Sequence, residues 1–105
     1  MTAARRRLAD RRASETFQVE HAGLRYTVSY SRFDSGELAE VFISNHKRGN
    51  ASDVAVRDAG ILLSFALQHG APAEAIARAL SRNSDGSASG VMGAVLDEIM
   101  KGGDR

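Results

Sequence analysis

From Thr16 to Glu20 apolar and polar side chains alternate, Phe17 and Val19 against Gln18 and Glu20, and this period of two predicts a short strand. Ala22-Gly23 supplies a turn. Leu24 to Phe33 alternates over a longer run, with Leu24, Tyr26, Val28 and Tyr30 on one face and Arg25, Thr27, Ser29 and Ser31 on the other. Asp34-Ser35-Gly36 reads as a hairpin loop and Glu37 to Asn45 as the returning strand. The apolar residues of that strand fall on both faces at Val41, Phe42 and Ile43, as in a central strand covered on each side. The period then lengthens. Ala51 to His69 places Val54, Ile61, Leu62, Phe65 and Ala66 near one stripe, widened by Leu63 and Leu67, which predicts a long helix with that stripe buried. Asn50 with Asp53, or Ser52, caps its start, and His69, Gly70 and Pro72 mark its end. Gly60 in the middle costs about 1 kcal/mol relative to alanine, so a close neighbour is expected there.

Pro72 opens a short helix, Ala73 to Leu80, with Ile76, Ala77 and Leu80 inward. Ser81 to Ser89 is a polar surface loop. Ser87 or Ser89 caps a last helix running through Lys101, with Val91, Val95, Leu96 and Ile99 inward. The order predicts an α+β domain, a three-stranded antiparallel meander followed by three helices packed on one face. It spans residues 16–101, behind a basic flexible N-terminal arm (1–15) and ahead of a frayed C-terminus (102–105). A sheet with one covered face leaves edges and apolar surface, so self-association is expected, with Phe42 or Tyr30 on the second surface.

Length and composition narrow the chemistry. The 105 residues fit one domain with one modest core. The sequence has no cysteine, which excludes disulfides, zinc thiolates, iron–sulfur clusters and thiol nucleophiles. No run approaches the roughly 18 apolar residues of a membrane span, and the basic N-terminus lacks the apolar core of a signal peptide, so a cytoplasmic location and no membrane contact are expected. Residues 1–15 hold five arginines against Asp10 and Glu15, so the net +1 divides into +3 on the arm and −2 on the body. A nucleic-acid module usually carries a basic face on its folded part too.

Two basic stretches are the candidate site. His46, Lys47, Arg48 and Asn50 lie between a strand end and a helix start, where backbone N–H groups favour an anion. Arg5, Arg6, Arg7, Arg11 and Arg12 form the arm, readable as a phosphate-binding or partner-binding segment or as a solvated tail. Tyr26 and Tyr30 read either as stacking platforms for bases or as core-facing residues, and the spacing favours the core. Asp53, Arg57 and Asp58 read as helix-surface ion pairing more readily than as an active cluster. The spacing of His21, His46 and His69 has no metal-ligand pattern, no nucleophile elbow occurs, and Asp85 to Gly90 lacks the glycine spacing of a dinucleotide loop. The residues therefore argue against catalysis, and no cofactor is expected.

Tyr26-Thr27-Val28, the strand Gly36-Glu37-Leu38-Ala39-Glu40-Val41-Phe42-Ile43, the loop Lys47-Arg48-Gly49, the long helix and Gln68-His69-Gly70-Ala71-Pro72 together resemble the TSCPD domain. That domain occurs at the C-terminal end of vitamin B12-dependent class II ribonucleotide reductases and as small stand-alone proteins. The resemblance implies a stand-alone accessory module. Reductase members commonly carry a Ser-Cys-Pro-Asp-like segment before the last helix, where this chain reads Ser87-Ala88-Ser89-Gly90-Val91. The reductase's cysteines, B12 site and nucleotide site are not implied here. The expected function is a non-catalytic interaction module that meets a protein partner, for example a ribonucleotide reductase, or a second copy of itself as a homo-oligomer. The alternative is a nucleic-acid or nucleotide-phosphate binder using the arginine arm with Lys47 and Arg48.

Overall fold

The structure, a computed structural model, describes residues 4–8, 13–45 and 50–103. These residues form β1 (Ser14–His21), β2 (Leu24–Arg32), β3 (Leu38–Asn45), α1 (Ala51–Gln68), α2 (Ala73–Ala79) and α3 (Val91–Gly103). The strands pair antiparallel in the order β1-β2-β3, and the helices after them pack against the sheet, giving the expected α+β meander. Ala22 and Gly23 turn the first hairpin with φ of 52° and 81°, a two-residue turn whose left-handed pair matches the strand twist. β1 begins at Ser14, earlier than the alternation shows, because Ser14 and Glu15 pair with Ser31 and Tyr30.

Residues directly opposite one another in an antiparallel pair share a face. Phe17, Val28 and Ile43 form one such row, and Val19 and Tyr26 belong to the same face. This face meets Val56, Leu63 and Leu67 of α1, Ala77 of α2 and Val95, Leu96 and Ile99 of α3 in one buried cluster. Tyr26 lies inside that cluster, so the core-facing reading holds for it. Tyr30 is half-buried on the same face, edge-on to Phe17 with ring centres 6.0 Å apart. Its hydroxyl donates to Glu15 Oε2 at 3.1 Å. Burial, and then the Glu15 carboxylate, push the phenol pKa up. Of the two residues expected on the second surface, Phe42 is there and Tyr30 is not.

Two expectations about β3 and α1 are corrected together. β3 is not central but at the edge of the sheet, and its outer edge is closed by α1. Ser64 Oγ accepts from the Val41 N–H at 3.0 Å and lies 3.1 Å from the Val41 carbonyl oxygen. Asp53 Oδ1 accepts from the Asn45 N–H at 3.0 Å, and Gln68 Nε2 donates to the Ala39 carbonyl at 3.2 Å. At Gly60 the helix backbone meets the strand: a Cβ built there would lie 3.0 Å from the Val41 carbonyl oxygen. The buried face of α1 is thus Asp53, Val56, Gly60, Leu63, Ser64, Leu67 and Gln68. Of the predicted stripe, Leu63 and Leu67 are buried as expected, whereas Val54, Ile61, Leu62 and Phe65 are exposed instead. A helix laid on a strand edge must bring hydrogen-bonding groups to unpaired backbone, since a buried N–H or C=O without a partner costs about 1–3 kcal/mol.

Residues 81–90 form a loop closed by its own side chains. Arg82 grips Asp97 with two bonds of 2.6 and 2.9 Å and donates to the Ala77 carbonyl at 2.8 Å. The Ser87 hydroxyl bonds Asp85 and the Ser89 hydroxyl bonds Asn83, so neither serine caps α3, which starts at Val91.

Candidate interaction surface

Helical geometry sorts the residues of α1 into three rows. The row on the strand edge is Asp53, Gly60, Ser64 and Gln68; to one side lie Val56, Leu63 and Leu67, in the core. To the other side, at spacings of seven and four, lie Val54, Ile61 and Phe65, with Leu62 pointing further outward. These four and Phe42 are the exposed large apolar side chains of the described chain, from 45% exposed at Phe65 to 70% at Leu62. Phe42 stands opposite Ser29 on the sheet face away from the core, and its Cα lies 3.5 Å from the Cβ position of Gly60. The ridge and Phe42 therefore flank the same strand–helix seam. Periodicity alone assigns this ridge to the core. The signal that corrects it is the row Asp53, Gly60, Ser64 and Gln68, which is polar or small and lies between two apolar rows.

The described part of the arm meets one end of this surface. Arg5 Nε donates to Gln68 Oε1 at 2.6 Å, and the Arg5 guanidinium lies over the Phe65 ring, 4.5 Å from its centre. The Arg6 N–H donates to the Gln68 carbonyl at 2.6 Å, one of the carbonyls left over at the end of α1. Its guanidinium lies 3.8 Å over the Phe33 ring and bonds Glu37 at 2.7 Å and Ser35 at 3.3 Å. The Arg6 and Ser35 hydrogen bonds hold the Glu37 carboxyl below the ordinary range. Arg7 is exposed. Arg11, Arg12, His46, Lys47 and Arg48 lie outside the described residues. Asn50 caps α1, its Oδ1 accepting from the Asp53 N–H at 2.7 Å. It stands at the opposite end of α1 from Arg5 and Arg6, about 27 Å away along 18 residues. The two predicted clusters are not brought together at Asn50 and Arg5–Arg6.

The TSCPD domain family model matches residues 4–102, from the described arm through α3. The chain belongs to the TSCPD domain family. No solved structure matches it.

Within this TSCPD domain Asp53, Arg57, His21 and His69 are engaged structurally. Asp53 is buried and accepts from Arg57 Nε at 2.9 Å as well as from Asn45, so the Asp53–Arg57 pair is helix-surface ion pairing at its outer end and edge closure at its inner end. His21 lies 3.0 Å from the Ser89 carbonyl oxygen, and His69 Nδ1 lies 2.8 Å from that of Phe65. Among the described residues no three His, Asp or Glu side chains gather as a metal site, and no helix is long and apolar enough to cross a membrane. An open cleft of about 650 Å³ lies beside the end of α1, lined by Arg6, Arg32, Phe33, Glu37, Leu67 and Met100. Arg6 is paired with Glu37 there, and Arg32 donates to the Gly36 carbonyl at 3.0 Å.

Proposed function

We propose that this TSCPD domain is a non-catalytic protein-interaction module whose docking surface is the α1 ridge with Phe42. The observation that carries the reading is the ridge itself: Val54, Ile61, Leu62 and Phe65 remain exposed although α1 has a complete second face buried on β3 and the core. Contiguous exposed apolar surface of this kind marks interaction sites on small soluble domains. The occupant is the apolar surface of a partner protein, and a class II ribonucleotide reductase is the first partner to test. Among the described candidates, Arg5, Arg6, Asn50, Asp53, Arg57, His21 and His69 each contact backbone or another side chain, which also supports a binding role.

The test is direct binding of the purified chain to a purified class II reductase, with Leu62→Asp and Ile61→Asp as variants. Both positions face solvent, so the variants keep the unfolding midpoint of the parent. Each weakens binding at least about tenfold, the loss of one well-buried apolar contact. Unchanged binding in both variants refutes the ridge as the docking surface. Arm-mediated nucleic-acid binding is the competing outcome: salt-dependent binding of single-stranded DNA or RNA that disappears when residues 1–14 are deleted would replace the interaction reading.

A further inference from the structure

The two edges of the sheet are treated differently. β3 is closed by three side chains of α1, whereas among the described residues nothing pairs with the outer edge of β1. The two-residue turn makes His21 and Leu24 a hydrogen-bonded pair, so Val19, Phe17 and Glu15 also point their backbone groups at β2. The N–H and C=O groups of Ser14, Thr16, Gln18 and Glu20 therefore point outward. The edge is eight residues long, contains no proline and pairs with β2 without a register shift. An open groove of about 660 Å³ runs along it, with Phe17, Val19 and Ile99 as apolar lining and Glu98 and Arg32 at the rim.

We propose that this edge pairs antiparallel with the β1 of a second copy of the chain, about a twofold axis at Gln18. The choice of occupant comes from the strand's own sequence. A twofold axis perpendicular to the sheet requires opposed residues to share a face, so the sum of opposed residue numbers is even. Centred on Gln18, Phe17 opposes Val19, Thr16 opposes Glu20 and Glu15 opposes His21 of the second copy. Each pair is complementary: apolar with apolar, hydroxyl with carboxylate, carboxylate with imidazole. Centred on Phe17 instead, Glu15 would oppose Val19, which matches a carboxylate to an apolar side chain. In the favoured register the half-exposed Phe17 and Val19 cover one another across the axis on the groove side. The outward N–H of each Gln18 donates to the Gln18 carbonyl of the other copy, and the reverse. The result is one continuous six-stranded sheet with both helix layers on the same side.

This association is separate from the α1 ridge and shares with the proposed function only the premise that the chain works by contact. Sedimentation equilibrium of the full chain is expected to show a dimer. Gln18→Pro removes an outward N–H at the axis, a substitution an edge strand tolerates, and weakens the dimer at least about tenfold without changing the circular dichroism spectrum. Gln18→Thr keeps the N–H and the dimer. Because the chain has no cysteine, Gln18→Cys gives a single thiol; a short bis-maleimide links it to its copy faster than it links Thr16→Cys or Glu20→Cys. A wild-type chain that stays monomeric at every concentration reached overturns the proposal. So does a dimer that Gln18→Pro leaves intact, or one that Leu62→Asp dissociates instead.

Discussion

At Gly60 the backbone of α1 lies against the backbone of β3 with no room for a side chain between them. Replacing the glycine with alanine improves helix propensity by about 1 kcal/mol. The added Cβ, however, meets the Val41 carbonyl oxygen at 3.0 Å, and backbone on both sides cannot swing away as a flexible side chain would. Gly60→Ala is therefore expected to lower stability by roughly 1–3 kcal/mol, read as a lower urea midpoint. Ala22 offers the opposite case. It holds φ of 52° with a Cβ, a conformation that costs a residue other than glycine or asparagine about 1–2 kcal/mol. Ala22→Asn makes the turn Asn-Gly, the preferred pair for this hairpin, and is expected to stabilise by about 0.5–1 kcal/mol in the same measurement. Both residues are visible as features in the sequence. Gly60 is legible there as a close approach, but the strand it approaches is not, since nothing local in α1 names β3.

Among the elements, the strands are the most legible, because alternation in β2 at Tyr26, Val28 and Tyr30 reports directly which side is covered. α1 is legible in extent and ends but not in orientation. Its two apolar rows compete for the core, and total hydrophobicity cannot choose between them. The choice is made by Asp53, Ser64 and Gln68, whose hydrogen bonds to β3 are worth more buried than exposed. The loop before α3 is legible as a loop, yet its serines look like caps because their true partners, Asp85 and Asn83, lie within the same turn. What joins that loop to α3 is the Arg82–Asp97 pair. The Arg82 hydrogen bonds hold the Asp97 carboxyl below the ordinary range. Its folded-state pKa is thus lower than its unfolded one, so the pair's contribution is complete above the ordinary aspartate value near 4 and is lost as pH falls through the lowered one. Asp97→Asn should accordingly lower the urea midpoint modestly at neutral pH, and the gap to the parent should close under acid; a gap constant with pH would contradict the assignment.

Across the whole molecule, Gln68 ties two distant parts of the chain, the arm and β3, to the end of α1. Its side-chain oxygen holds Arg5, its side-chain nitrogen holds Ala39, and its carbonyl holds Arg6. The arm thereby reaches the end of the exposed ridge at Phe65, an arrangement that the composition of residues 1–15 alone does not foretell. Laying α1 along β3 also has an effect at this scale. A strand row with two open margins can keep recruiting neighbours, as fibrils do, and nothing in its geometry tells it when to stop. Here one margin is permanently occupied by a helix of the same chain. Strand recruitment through the remaining margin, as proposed above, would therefore end after a single event: it would give a finite pair with no further strand edge for growth, a built-in protection against running on into a polymer.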